Sequence, residues 1–229
     1  MTPDTRAASS VPENVPRRLN IGCGDRPTVG WVNYDNSLSV LLGHLPLVGA
    51  ILARIGLIAK SQLNFARIAQ ASGVRYANVT QKIPEADSSV DLIYSCHMLE
   101  HLTRSDALRF LRESRRVLKP GGALRIVVPD LKILVNNYQR GGKADDFMES
   151  LYIVPTDPDR LLNRLKCLLV GGRLHLWMYD ADSLRELMTK AGFASVVTLP
   201  PGETTIKELE GIDLSERAEE SLYVEGIKS

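Results

Sequence analysis

The sequence predicts an α/β fold, with a doubly wound, mostly parallel sheet of seven strands that ends on an antiparallel C-terminal strand. Three observations carry that expectation. Short apolar runs alternate with helical patterns, the first run leads straight into a glycine turn, and two strand-like runs close the chain with no helix signal between them. At 229 residues and 44% hydrophobic content, the chain is long enough to bury one sizeable core. One domain over 18–229 is expected, behind a flexible tail over 1–17 that carries Asp4, Glu13 and three prolines. With no apolar core run, that tail does not read as a secretory signal.

The strands can be taken in order. Arg18–Ile21 is the first, 31–34 the second and 74–78 the third. The fourth and fifth, 90–95 and 123–128, are nearly all apolar, as strands buried on both faces should be. Between them, 105–118 places Leu108, Leu111, Arg115 and Leu118 on one helical stripe, with Ser105 as its N-cap. Lys119-Pro120-Gly121-Gly122 then stops the helix, because proline cannot continue it and glycine supplies a turn. A second amphipathic helix, 181–191, turns Leu184, Leu187 and Met188 inward and ends at Gly192. The closing runs, 193–199 and Ser221–Ile227, suggest a terminal hairpin that places an antiparallel strand at the sheet edge.

Lysine and arginine total 28 against 27 acidic residues, with no block of like charge. That lacks the basic footprint a nucleic-acid backbone requires, so no nucleic-acid partner is expected. Cys23, Cys96 and Cys167 are odd in number and widely spaced, with neither a C-x-x-C pair nor a histidine at metal-ligand spacing. They read as reduced thiols of a cytoplasmic protein, and no metal is expected.

Leu19-Asn20-Ile21-Gly22-Cys23-Gly24 runs a strand into glycines, where an open α/β sheet lets a ligand approach the backbone. On its own, G-x-G is a weak signal. A dinucleotide fingerprint needs a third glycine where Pro27 stands and a helix N-terminus for the pyrophosphate. The six residues 25–30 are too few for a crossover helix of about three turns, so a nicotinamide oxidoreductase is disfavoured. Asp35, at the end of the second strand, can accept both ribose hydroxyls or can simply be a turn residue before Asn36. Asn78, at the end of the third, can address an adenine edge or form a turn.

Asn20-Ile21-Gly22-Cys23-Gly24 followed by Gly30-Trp31-Val32-Asn33-Tyr34-Asp35 resembles motif I and the acidic strand end of class I S-adenosylmethionine (SAM) dependent methyltransferases. The likeness is to type 11 members with a shortened loop and a G-W-x-N-x-D signature. Ile83-Pro84 and 88–102 resemble the family's fourth-strand segment, and Leu118-Lys119-Pro120-Gly121-Gly122 resembles the turn before its fifth strand. The resemblance spans about 18–130, with weaker similarity around 175–193. It implies a Rossmann-like domain, SAM as cofactor, and cofactor contacts at Asn20, Gly22, Gly24, Asp35, Asn78, Val79, Cys96 and His97. The family usually has Asp where this chain has Asn78. SAM has no phosphate, so the missing helix dipole costs it little.

Methyl transfer from a sulfonium is an in-line displacement, and a base is needed only where the acceptor must lose a proton. His97 and His101 lie just past the fourth strand, four residues apart and on one face if helical. His101 also suits a packing or capping role. His175-Leu176-Trp177-Met178-Tyr179-Asp180 presents His175, Trp177 and Tyr179 on one face if extended. His97, His175 and Tyr179 are thus the catalytic candidates, set against a reading in which Trp177 and Tyr179 pack the core and Asp180 caps the next helix. The fourth-strand end lacks the Pro-Pro-aromatic motif of base amino-methylating enzymes, and no Pro-Cys nucleophile is present. The expected acceptor is a hydroxyl, or an amine, of a small molecule; the resemblance adds sugars and glycans. A non-catalytic SAM-binding protein is the alternative.

An apolar insertion over 38–60 follows Asp35, with Pro46 dividing a short turn from a helix over about 47–58. Gly43, His44, Pro46, Gly49 and Arg54 interrupt it too often for a membrane span. A lid over the acceptor site is expected, with peripheral membrane contact or a second subunit as other ways to cover it.

Overall fold

A computed structural model describes residues 15–153, 174–207, 209 and 211–229. Cys167 and most of the 1–17 tail lie outside them. Seven strands form one sheet: β1 (Arg18–Ile21), β2 (Val32–Asp35), β3 (Arg75–Tyr76), β4 (Val90–Cys96), β5 (Leu118–Pro129), β6 (Ala194–Leu199) and β7 (Ser221–Ile227). Their spatial order is β3-β2-β1-β4-β5-β7-β6. The first five are parallel neighbours, and β7 is antiparallel to both β5 and β6. The antiparallel strand is therefore one place in from the edge, because the hairpin inserts β7 beside β5 and leaves β6 outermost.

No helix separates β1 from β2; a turn over 22–31 joins two parallel neighbours directly. The insertion forms α1 (Leu38–Gly43) and α2 (Pro46–Arg54), and α3 (Lys60–Ala71) follows. What was read as a short turn is thus a helix, capped by the Ser37 side chain, and α2 begins at Pro46, whose missing N–H costs nothing at a first turn. Val40 of α1 packs with Phe65 and Ala69 of α3, whereas α2 buries Gly49 alone and leaves Leu47, Ile51 and Ile55 exposed. None of the described helices is long and apolar enough to cross a membrane.

The chain then forms a 3-10 turn (Leu99–His101), α4 (Arg104–Val117), α5 (Leu131–Gln139), α6 (Ala144–Ser150) and α7 (Ala181–Lys190). The α4 N-cap is Thr103 rather than Ser105: the Thr103 hydroxyl accepts from Asp106 N–H. Ala107, Phe110, Leu111, Ser114 and Val117 are buried, Leu108 packs against the core from the edge of that face, and of the expected stripe Arg115 alone does not join it. Arg115 instead donates to the Gly192 carbonyl at the end of α7. Helix α7 buries Leu184, Leu187 and Met188 as expected. Lys119 to Gly122 is drawn into the start of β5 through Val90 opposite Leu118, with Gly121 at φ +78° making the bend.

The main core lies between α4, α7 and one face of the sheet, around Ile21, Ile93, Phe110, Ile126 and Val224. The opposite face carries Leu92, Tyr94, Val127 and Tyr223, against which Ile206, Leu209 and Ile212 pack from a non-helical segment. On that face Arg125 and Glu225 are paired in register across β5 and β7, and Arg125 donates to the Glu203 carbonyl of the segment before Ile206.

Candidate active site

The carboxyl ends of β1, β2, β3 and β4 come together along one edge of the parallel sheet, where an open α/β sheet accepts ligands. At β1, Gly22 and Cys23 donate N–H bonds to the Tyr34 carbonyl at 2.8 and 3.3 Å, folding the glycine turn against β2. Gly22 has φ +74°, and a Cβ there would lie 2.4 Å from Met98 Cγ, so the backbone needs glycine for both conformation and space. Gly24, at φ +53°, faces open space. Its N–H donates to Asp35 Oδ2 at 2.9 Å, and Ser37 N–H donates to Oδ1 at 2.7 Å. Asp35 therefore does serve the turn, while each carboxylate oxygen keeps a second lone pair for a ligand hydroxyl.

Asn20 does not face that edge: it is buried, and its amide donates to Thr28 Oγ1 at 2.9 Å inside the turn. The side chain braces the turn together with Asn33, which bonds Thr28 through both ends of its amide. Asn78 realises its turn role, accepting from Thr80 Oγ1 at 2.9 Å and, at its carbonyl, from Gln81 and Lys82. The Val79 side chain lies in the main core. Burial pushes the Cys23 thiol up to about 12 and raises that of Cys96, so both are neutral thiols.

Beyond β4 the chain makes a sharp bend. His97 sits at φ +48°, an uncommon conformation for a non-glycine residue. Its Nε2 is 3.1 Å from Ser221 Oγ and its Nδ1 is 3.2 Å from Glu100 Oε1. His97 and His101 do not share a helix face, since the left-handed bend and the 3-10 turn separate them. Both nevertheless lie beside Glu100. His175 joins them from 74 residues beyond His101, with Nε2 4.0 Å from Glu100 Oε1 and its ring 5.1 Å from the His101 ring. The backbone enforces the meeting: Leu176 and Trp177 N–H both donate to the Glu100 carbonyl, at 2.7 and 3.2 Å.

The single face expected for His175, Trp177 and Tyr179 does not form. Tyr179 is fully buried in the main core with its backbone paired to Asp130 and Leu131, while Trp177 is 44% exposed. A catalytic Tyr179 is thereby replaced by a packing one, under the Arg104 guanidinium 5.5 Å from its ring. Asp180 caps α7 by accepting from Ser183 N–H.

Glu100 was missed. It is 1% exposed, and neither carboxylate oxygen has an aligned hydrogen-bond donor. Its signal was legible in Cys96-His97-Met98-Leu99-Glu100-His101, a carboxylate between two histidines directly after a buried strand. Burial lowers the His175 pKa below 6.5, Glu100 and the Leu151 backbone oppose that, and His101 and His97 lower it further. The ring is neutral at pH 7. An open depression of about 830 Å³ between α7 and β6, lined by Asp182, Arg185 and Ser195, lies at the far edge of the sheet from these groups.

Residues 56–126 match the methyltransferase domain model. That segment runs from α3 through β4 and α4 into β5, so it contains Glu100 and His101 but neither the glycine turn nor Asp35. No curated protein matches the sequence. Among solved structures, a phosphoethanolamine N-methyltransferase of Haemonchus contortus, crystallised with phosphomonomethylethanolamine and S-adenosylhomocysteine, is 13% identical, with a TM-score of 0.50, over 93% of this chain and 49% of its own. A SAM-dependent methyltransferase of Thermotoga maritima, described as a possible histamine N-methyltransferase, is 18% identical at 0.49 over 94% and 84%. The methyltransferase SibL in its apo form is 17% identical at 0.49 over 93% and 50%. The chain spans about half the length of the first and third of these. The matched segment is that of a methyltransferase domain, and the fold is similar to that of the Haemonchus contortus enzyme crystallised with S-adenosylhomocysteine. The four strand ends fit SAM, since Gly24 opens onto free space beside the Asp35 carboxylate.

Proposed function

We propose that the protein transfers a methyl group from SAM to a hydroxyl of a small acceptor of the sugar or glycan class. The observation that carries this reading is the convergence of Gly24, Asp35, Asn78 and His97 at adjoining strand ends, with the histidines around Glu100 just beyond. In this arrangement Gly22 and Gly24 let the cofactor approach the backbone, and Asp35 accepts its ribose hydroxyls. When bound, SAM supplies an electrophilic methyl that the acceptor oxygen attacks, with the electron pair of the breaking bond leaving to sulfur. The hydroxyl proton passes to the imidazole cluster beyond β4, where His97 stands at the strand end. An amine acceptor needs the same positioning. The exposed apolar side of α2, following Asp35 by eleven residues, is read as cover for the acceptor (46 less 35).

Calorimetric titration with SAM tests the binding half. Asp35→Ala should weaken SAM by about 1.5–3 kcal/mol, the range for losing charge-assisted hydrogen bonds to a ligand. An unchanged dissociation constant leaves Asp35 as a turn residue only. NADH binding without SAM binding overturns the reading. Labelled SAM offered with glycan and phenolic acceptors tests the transfer itself.

A further inference from the structure

The geometry points to a divalent transition-metal site made by Glu100, His101 and His175, a class of ligand that the sequence spacing did not suggest. Each residue can present one ligand atom, and the three atoms lie within 4.8 Å of one another. Two imidazoles and one carboxylate suit zinc and its first-row neighbours. A cation at about 2.0–2.2 Å from each atom would draw them closer by about an ångström, which rotation of the side chains can supply.

Three independent features support the assignment. The first is the state of Glu100. A buried carboxylate normally has hydrogen bonds or a fixed cation, since an unpaired charge in the interior costs several kcal/mol. Glu100 has neither aligned donors nor a lysine or arginine within 4.0 Å among the described residues; only His97 and His175 reach it. The second is the tautomer of His101. Its Nδ1 lies 3.0 Å from the Leu174 carbonyl, and a carbonyl can only accept, so Nδ1 carries the proton. Nε2 is left as a bare lone pair. A ring nitrogen tied to a backbone carbonyl is the usual support of a metal-bound histidine. The third is His175, whose Nδ1 is buried without an aligned partner.

The cluster is also held before any ion arrives. Leu176 and Trp177 N–H bonds to the Glu100 carbonyl, and His175 N–H to the Tyr152 carbonyl at 3.0 Å, fix the two segments relative to each other. Three protein ligands leave a position for water or for an acceptor oxygen. There the cation would lower the pKa of a bound hydroxyl, and His97, 3.2 Å from Glu100, is the adjacent base. That last role rests on the methyl-transfer reading; the site itself does not.

The test uses the full chain stripped with chelator and dialysed, then titrated with Zn²⁺ by calorimetry, with metal content read by mass spectrometry. One equivalent should bind without SAM. His101→Ala and His175→Ala should weaken it at least 100-fold with the circular dichroism spectrum kept, while His44→Ala, an exposed histidine of the insertion, should not change it. Co²⁺ substituted for Zn²⁺ should give visible bands of low-symmetry nitrogen and oxygen coordination, lost in Glu100→Gln. This keeps the test decisive if an alanine variant fails to fold. No stoichiometric uptake, or equal uptake by all variants, overturns the site. A SAM titration of the same stripped protein separates this failure from failure of the methyltransferase reading.

Discussion

Two carboxylates lie equally deep in this protein and are treated in opposite ways. Glu225, on the β7 strand, accepts from Arg125 at 2.6 Å, Thr204 Oγ1 at 2.7 Å and Thr205 N–H at 2.8 Å. Glu100, beyond β4, has no aligned donor at all. Burial alone would raise the Glu225 pKa, yet the bonds from Thr205, Thr204 and Arg125 together hold it below the usual carboxylate value. The Arg125 guanidinium extends the network to the Glu203 and Leu214 carbonyls, tying the chain at those two points to the sheet. The difference separates two uses of buried charge. A satisfied pair organises structure, and an unsatisfied group at the carboxyl edge of the sheet has its oxygens open to the metal role proposed above.

The largest expected effect breaks the satisfied pair. Arg125→Met should cost about 3–5 kcal/mol in urea unfolding, because it strands Glu225 with its charge in the interior. A loss under about 1 kcal/mol would mean that water reaches Glu225 and that the contrast with Glu100 is not one of burial.

Next in size is Glu225→Gln, expected to cost about 1.5–3 kcal/mol through its charge-assisted bonds. It also sets a pH dependence. A carboxylate with a depressed folded pKa contributes stability that is complete above its unfolded value, here 4.5, and is lost as pH falls through the folded value. The wild type should therefore lose stability more steeply below pH 4.5 than Glu225→Gln does. His175 acts in the same direction from a higher start: its pKa is lowered from 6.5, so its contribution is complete above 6.5 and declines below it. His175→Gln should flatten the stability profile just below pH 6.5, and an unchanged slope there would remove His175 from the buried set.

Much of the frame was legible because it is written in local patterns. Strand periodicity, the Lys119-Pro120-Gly121-Gly122 stop and the α7 stripe of Leu184, Leu187 and Met188 each need only neighbouring residues. Asp35, at the end of β2, reads the same way. What was not legible depends on partners far along the chain. Arg125 sits in a strand of apolar residues, and nothing near it in sequence announces Glu225 or the carbonyl of Leu214. Glu100 stands between His97 and His101 in the sequence, but nothing near it announces His175 until the 174–177 segment returns to it. Tyr179 was misplaced for a related reason: alternation predicts one face, but the pairing of its backbone with β5 and α5 turns the ring into the core.

The smallest effect is the most discriminating. Glu100→Gln is the same substitution, yet in chelator-treated protein it should leave stability unchanged or raise it by up to about 1 kcal/mol, since no aligned bond is lost and an amide is no costlier to bury there than a carboxyl group. The neutral amide also adds two donors, for which the nearby His97 Nδ1 is a candidate acceptor if its proton lies on Nε2 toward Ser221. The measurement is urea unfolding of both variants in one buffer at pH 7, above the ordinary carboxylate range. Opposite signs for Glu225→Gln and Glu100→Gln would establish that the two sites differ in kind. A loss at Glu100 as large as that at Glu225 would instead mean that His97 is protonated and paired with it. Glu100 would then be a structural anchor of the bend after β4, and its oxygens would be engaged before any ligand arrives.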